Sequence, residues 1–295
     1  MPSIAISASR VEYVEQGSGE PVMLFHSSAS SSAQWRALIG RLGERYRVIA
    51  PDLYGYGGTA NWAGRGEFRL EHEAQIVCAL LGRAGEPAHL VGHSFGGAVA
   101  LHVARTRPDL LASLTLIEPV AFHLLQGQDE TAFAEIEEVA DGVAHALASG
   151  DYLGGIARFV DYWSGPGAWA GIPAEKRPGF AARLGKVALD FHATFNEPAS
   201  LRDFAGLALP TLLLQGTCSP LPTRRICELL AAVLPDGQLT RIEGAGHMAP
   251  LTHRDSVNAL IEAHLERNSG PLSRYRGPAM AVSGARAPAA AGGVA

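Results

Sequence analysis

The chain has 295 residues, 47% of them hydrophobic, enough to bury a full core as one large α/β domain or two smaller ones. A formal net charge of −5, with 24 Lys and Arg scattered along the chain, argues against nucleic acid or an anionic membrane as partner. Three cysteines (Cys78, Cys218, Cys227) cannot all pair and show no zinc-site spacing, a usage that fits a reducing cytoplasm. No secretory signal pattern opens the chain, and no segment approaches the roughly 20 apolar residues of a membrane span, so a cytoplasmic location is expected.

In chain order, "PVMLFHS" (21–27), "YRVIAPD" (46–52), "AHLVGHS" (88–94), "SLTLIEP" (113–119) and "PTLLLQG" (210–216) read as buried strands. Helical patterns fall between them. "SSAQWRALIGRL" carries the spacing of a capping box, Ser31 with Gln34 three residues on. "LEHEAQIVCALLGRAG" and "FGGAVALHVARTRP" have helical periodicity and stop at Gly85 and Pro108. Apolar strands separated by helices predict an α/β fold, a mostly parallel sheet with helices on both faces. The alternation breaks over residues 122–204, where long helical patterns and the Gly/Pro-rich "DYWSGPGAWAGIP" predict a helical cap between two core strands. The core is then 1–121 with 205–267, closed by "RRICELLAAVLP", "GQLTRIEG" and "HRDSVNALIEAHLERN". Residues 268–295, rich in Gly, Ala and Pro without periodicity, read as a disordered tail.

"VGHSFGG" contains the G-x-S-x-G pentapeptide, Gly92 to Gly96, where an apolar strand meets a helix. A sharp strand-to-helix turn needs small neighbours and lifts the Ser94 hydroxyl above the sheet edge as a nucleophile. The N–H of Phe95, unpaired at the helix start, faces a developing oxyanion. The simpler alternative is a glycine-rich turn with an idle serine.

On this pentapeptide and its setting, the chain from Val11 to about Arg267 resembles the α/β-hydrolase fold family. The resemblance implies a Ser–acid–His triad in that chain order, an oxyanion loop after an early strand, and a cap that shapes the substrate site. "DLYGYGGT" (52–59) is similar to a structural turn of the family. "IEGAGHMAPL" resembles the family's Gly-x-Gly-His segment and makes His247 the base, whose neutral imidazole takes the serine proton and returns it to the leaving group. Among the eleven histidines, His26, His93, His102 and His192 read as packing or hydrogen-bonding residues. In the oxyanion loop "FHSSASSSAQW", Ser27 stands where the family usually has Gly, and Ser28 supplies the backbone N–H by alignment. A Cβ at position 27 limits positive φ, which predicts a different loop path, and the serine hydroxyls there are candidate extra donors.

The family's usual acid is an Asp after the strand that follows the cap. Here that loop is "GTCSPLP", with Ser219 in the Asp slot, and a hydroxyl cannot stabilise an imidazolium as a carboxylate does. Asp236, in "LPDGQL", comes one strand too late. Glu118 ends the strand after the nucleophile's helix, a position from which some dehalogenases and lactonases of the family draw their acid. A carboxylate closing an apolar strand also needs a partner. The alternative is a Glu that meets water or an arginine at a strand end.

Phe122, Phe159, Trp163 and Trp169 are the candidate pocket residues of the cap. Cys218 reads as packing, and Glu135, Glu137 and Glu138 as a solvated helix face. The expected function is a serine hydrolase acting on a small apolar ester or lactone without metal or organic cofactor. The alternatives are hydrolytic carbon–carbon cleavage of a diketone-like ring-fission product, and a hydrolase-like ligand-binding protein that turns over weakly.

Overall fold

The computed structural model describes residues 1–6 and 9–270. Eight strands form its sheet: β1 (Ser3–Ile6), β2 (Ser9–Gln16), β3 (Pro21–Phe25), β4 (Arg47–Pro51), β5 (Ala88–His93), β6 (Leu111–Ile117), β7 (Thr211–Gly216) and β8 (Gly237–Ile242). Their spatial order is β1-β2-β4-β3-β5-β6-β7-β8. Pairing is parallel from β4 through β8, as the apolar runs predicted. The first two strands pair antiparallel and were not among the predicted ones. They lie at the sheet's edge, and β2 alternates buried and exposed residues instead of forming an apolar run.

Successive residues of each strand serve opposite faces of the sheet. Met23 and Phe25 join the cluster that holds the helices Leu70–Ala84 and Phe95–Thr106. Val22 and Leu24 join the other cluster, with Leu38, Leu42, Ile261 and Leu265 from the helices Arg36–Leu42 and Arg254–Asn268. Two faces are thus covered, and the polar machinery is left to the carboxyl ends of the parallel strands.

Between β6 and β7 the chain runs through five helices: Glu130–Ser149, Tyr152–Ser164, Arg177–Ala181, Leu184–Phe195 and Leu201–Phe204. The long first one begins where the Asp129 carboxylate accepts from the Ala132 N–H and ends at Gly150, whose φ of 76° is the left-handed stop that glycine allows. The stretch read as a Gly/Pro-rich connection starts later than expected, because Asp161 to Ser164 complete the helix opened by Asp151. The expected capping box at Ser31 does not form: no side chain caps that helical turn. Gln34 bonds Ser27 and His93 instead. Most of the tail expected to be disordered, 271–295, lies outside the described residues, while Asn268 still belongs to the last helix. Among the described residues no helix is long and apolar enough to cross a membrane.

Candidate active site

Ser94 sits between β5 and the helix Phe95–Thr106 with φ 57° and ψ −118°, a conformation that L-residues rarely adopt. The turn holds because glycine permits close approach. A Cβ on Gly92 would lie 2.4 Å from the Gly96 carbonyl oxygen, and one on Gly96 would lie 2.5 Å from the Phe25 oxygen. Backbone bonds fix the strained residue: its N–H donates to the Ile117 oxygen at 2.9 Å and its oxygen accepts from Val120.

His247 follows β8 and precedes a short helix, Ala249–Thr252. Its Nε2 lies 3.0 Å from Ser94 Oγ and its Nδ1 lies 2.7 Å from Glu118 Oε2. With Nδ1–H donated to the carboxylate, Nε2 is left to accept the serine proton. The imidazole is buried between two rings, Trp163 at 4.2 Å and His93 at 5.1 Å between centroids.

Glu118 lies just past β6 with φ 46°, fully buried. Its Oε1 accepts from the Gly216 N–H at 2.7 Å and from the Ser219 hydroxyl; its Oε2 accepts from His247 and from Thr223 Oγ1 at 3.1 Å. Burial alone would raise its pKa, but the bond and charge of His247, with the Ser219 and Gly216 donors, hold it below the usual carboxylate value. A carboxylate is therefore present where the sequence places it, and Ser219, in the slot of the missing Asp, is bonded to it. Asp236 precedes β8, at the opposite end of that strand from His247, and cannot reach the imidazole.

In the candidate oxyanion loop Ser27 takes no positive φ, as its Cβ predicted; Ala29 does (56°), so the loop turns two residues later. The hydroxyls of Ser27 and Ser28, candidate extra donors, are engaged elsewhere: Ser28 Oγ donates to Asp190 Oδ2 at 2.6 Å and Ser27 Oγ to Gln34 Oε1 at 3.0 Å. The Ser27 N–H is also taken by Gln34 Oε1, which leaves the backbone N–H of Ser28 for that role. Ser28 and Phe95 both line a cavity that reaches Ser94.

Gln34 joins the two loops that flank Ser94. Its Oε1 also accepts the Ser27 N–H, and its Nε2 donates to His93 Nδ1 at 3.1 Å. His93 Nε2 in turn donates to the His247 backbone oxygen at 2.9 Å. Burial, then the neighbouring His247, lowers the His93 pKa to about 3, so it stays a neutral donor. His26, read as structural, accepts the Leu53 N–H on Nε2 at 3.0 Å. Asp52 bonds the N–H groups of Ser32 and Gly58, the structural turn expected of "DLYGYGGT".

Sequence reading missed a buried ion cluster beside the site. Lys186 and Asp190, one turn apart on the helix Leu184–Phe195, pair with each other, and Lys186 Nζ lies 3.1 Å from Glu73 Oε1. Tyr56 OH donates to Asp190 Oδ2 at 2.6 Å, alongside Ser28. Burial raises the Asp190 pKa and, despite Lys186, lifts that of Glu73 to about 7. A Lys and an Asp four residues apart read locally as a solvated pair; the only signal against that was the apolar helix around them.

Of the candidate pocket residues, Phe159 and Trp163 line both cavities beside Ser94, and Phe122 lines the inner one. Trp169 lines neither; it packs edge-on against Phe180 and under the Arg177 guanidinium, while Ile172 and Phe180, later in the chain, line the outer cavity. Cys218, read as packing, is exposed, and Glu135 accepts a bond from Tyr162 OH instead of facing only water.

A family model for the alpha/beta hydrolase fold matches residues 20–254. The chain belongs to the α/β-hydrolase fold family. It is 27% identical over 260 residues to the (E)-2-((N-methylformamido)methylene)succinate hydrolase of Acinetobacter baylyi, covering 86% of this chain and 93% of that protein. It is 26% identical over 260 residues to the pimeloyl-[acyl-carrier protein] methyl ester esterase of Aeromonas hydrophila, covering 83% and 95%. MGS-M2, an alpha/beta hydrolase from a Medee basin deep-sea metagenome library, superposes with a TM-score of 0.78 at 16% identity over 92% of this chain and 99% of that one. The α/β-hydrolase fold is thus shared along nearly the whole chain, and hydrolysis is the activity in the names of both relatives.

Proposed function

We propose that this α/β-hydrolase is a serine hydrolase that cleaves a small apolar carboxylic ester or lactone through an acyl-enzyme. The observation that carries the reading is the continuous hydrogen-bonded chain from Ser94 Oγ through His247 to the Glu118 carboxylate. Ser94 Oγ attacks the carbonyl carbon as His247 Nε2 takes its proton. The negative charge that develops on the carbonyl oxygen is held by the N–H groups of Ser28 and Phe95. His247, stabilised as imidazolium by Glu118, gives the proton to the leaving oxygen. Water, deprotonated by the same imidazole, then attacks the acyl-Ser94 and releases the acid.

Residues 122–204 act in this reading as a cap that supplies the apolar wall of the site. The free cysteines support a cytoplasmic location. The hydrogen bonds linking Ser94, His247 and Glu118 weigh against a binding protein that turns over weakly.

The test is hydrolysis of a panel of activated esters, lactones and diketone-like ring-fission compounds by the protein and by Ser94→Ala. Ester or lactone turnover that vanishes in Ser94→Ala is expected. Turnover confined to the diketones would move the reading to carbon–carbon cleavage. Tight ligand binding without Ser94-dependent turnover would move it to a receptor.

A further inference from the structure

Two cavities meet at Ser94, and they differ in size and in the machinery they touch. The inner one, about 20 Å³, is bounded by Phe95, Phe122, Val187, Asp190 and Phe191. That is room for little more than one water-sized group. The outer one, about 220 Å³, is bounded by His247, Met248, Leu251, Ile172 and Phe180. Phe159 and Trp163 form a wall common to both.

The chemistry assigns a substrate half to each. His247 must protonate the leaving oxygen, so the leaving group lies on the His247 side, in the outer cavity. The acyl carbon is bonded to Ser94, and its remaining substituent points away from the leaving group, into the inner cavity beside Phe95. Resting on the serine-hydrolase reading above, we infer that the enzyme selects esters of short acyl groups, two or three carbons long, carrying larger apolar leaving groups.

The inner wall is built to stay where it is. Asp190 holds Ser28 Oγ and Tyr56 OH at 2.6 Å each and pairs with Lys186, which reaches Glu73. Withdrawing the helix Leu184–Phe195 to admit a longer chain would part buried charges, a costly step. On the other side Phe122 stacks on Phe191 at 5.8 Å and lies 5.3 Å from Phe195, so ring packing closes the end of the lobe. None of Glu73, Lys186 and Asp190 lines the outer cavity, and Leu251 on its rim is exposed.

The experiment compares 4-nitrophenyl acetate, propanoate, butanoate and hexanoate, and separately ethyl acetate against 2-phenylethyl acetate, with Ser94→Ala as background. The expected kcat/KM falls at least about tenfold from acetate to hexanoate, since added methylenes overfill a packed site, and rises with the larger alcohol. Phe191→Ala, with Val187→Ala as the milder second variant, should raise the hexanoate-to-acetate ratio by about tenfold or more. Equal or better turnover of hexanoate by the unaltered protein, or a ratio that neither variant changes, overturns the assignment of the lobes while leaving the hydrolase reading intact. No Ser94-dependent turnover of any ester overturns the hydrolase reading itself, and the chain-length inference falls with it.

Discussion

The hydroxyl of Ser219 donates to Oε1 of Glu118 across the ends of β6 and β7. The loop that lacks an acid therefore still serves one: it has exchanged a carboxylate for a donor aimed at a carboxylate 101 positions earlier in the chain. With the Gly216 N–H and Thr223 Oγ1, that donor keeps a buried Glu118 ionised and its Oε2 turned to His247.

Replacing Glu118 by Gln should lower kcat toward an activated ester by roughly 10⁴-fold, as loss of a triad acid does. Circular dichroism and thermal melting check that the variant is folded. Adding Ser219→Asp to Glu118→Gln returns a carboxylate to the family's usual place, so part of the lost turnover should reappear. If Glu118→Gln alone kept near-normal turnover, the acid assignment would be wrong.

Ser219→Ala removes one of four donors from Glu118. A hydrogen bond to a charged group is worth about 1.5–3 kcal/mol, so a fall in kcat of up to about tenfold is expected once the remaining donors adjust. Losing a donor to the ionised form raises the Glu118 pKa. The loss of kcat/KM relative to the unaltered protein should therefore deepen toward low pH, which rate profiles of both proteins from pH 4 to 8 would detect.

Trp163 lies 4.2 Å from the His247 ring, at an interplanar angle of 38°. On the proposed serine-hydrolase mechanism its π face attracts the imidazolium of the transition state, an effect of about 0.5–2 kcal/mol, or roughly 2- to 30-fold in rate. Trp163→Leu should lower kcat by such a factor, and Trp163→Phe should retain most of the activity. A Leu variant with unchanged kcat and a raised KM would show that the indole only packs against substrate.

Glu73 has its pKa raised from 4.5 to about 7, chiefly by burial. Between those values the folded chain holds a proton that the unfolded chain has released, so this group makes stability fall as pH rises from 4.5 through about 7. Glu73→Gln removes that titration. Melting temperatures at pH 5 and pH 8 should show a smaller loss toward pH 8 in Glu73→Gln than in the unaltered protein. Equal losses would mean that Glu73 does not titrate in this range.

The apolar runs at 21–27, 46–52, 88–94, 113–119 and 210–216 were legible as strands because buried parallel strands carry their signal in consecutive residues. The two antiparallel strands at one end of the sheet were not, since β1 is short and largely uncovered and β2 alternates buried and exposed residues instead of forming an apolar run. Gly92 and Gly96 marked the turn at Ser94 because only glycine tolerates the approach of 2.4–2.5 Å at each Cβ position. Gln34 misled: its spacing from Ser31 is that of a local cap, yet a buried acceptor on His93 and the Ser27 N–H were better partners, and neither is visible in a window of four residues.

By itself the sequence determined the layered α/β architecture and marked Ser94 and His247 as candidates for nucleophile and base, since periodicity, close-packing glycines and short motifs are local properties. The tertiary structure decided which carboxylate meets His247, what Ser219 does in the place of an Asp, and that Lys186 and Asp190 form a buried wall beside Ser94 instead of a solvated pair. Those outcomes depend on which strand ends and helix faces come within about 3 Å of one another, the range of a hydrogen bond, and that is set by the folding of segments more than a hundred residues apart.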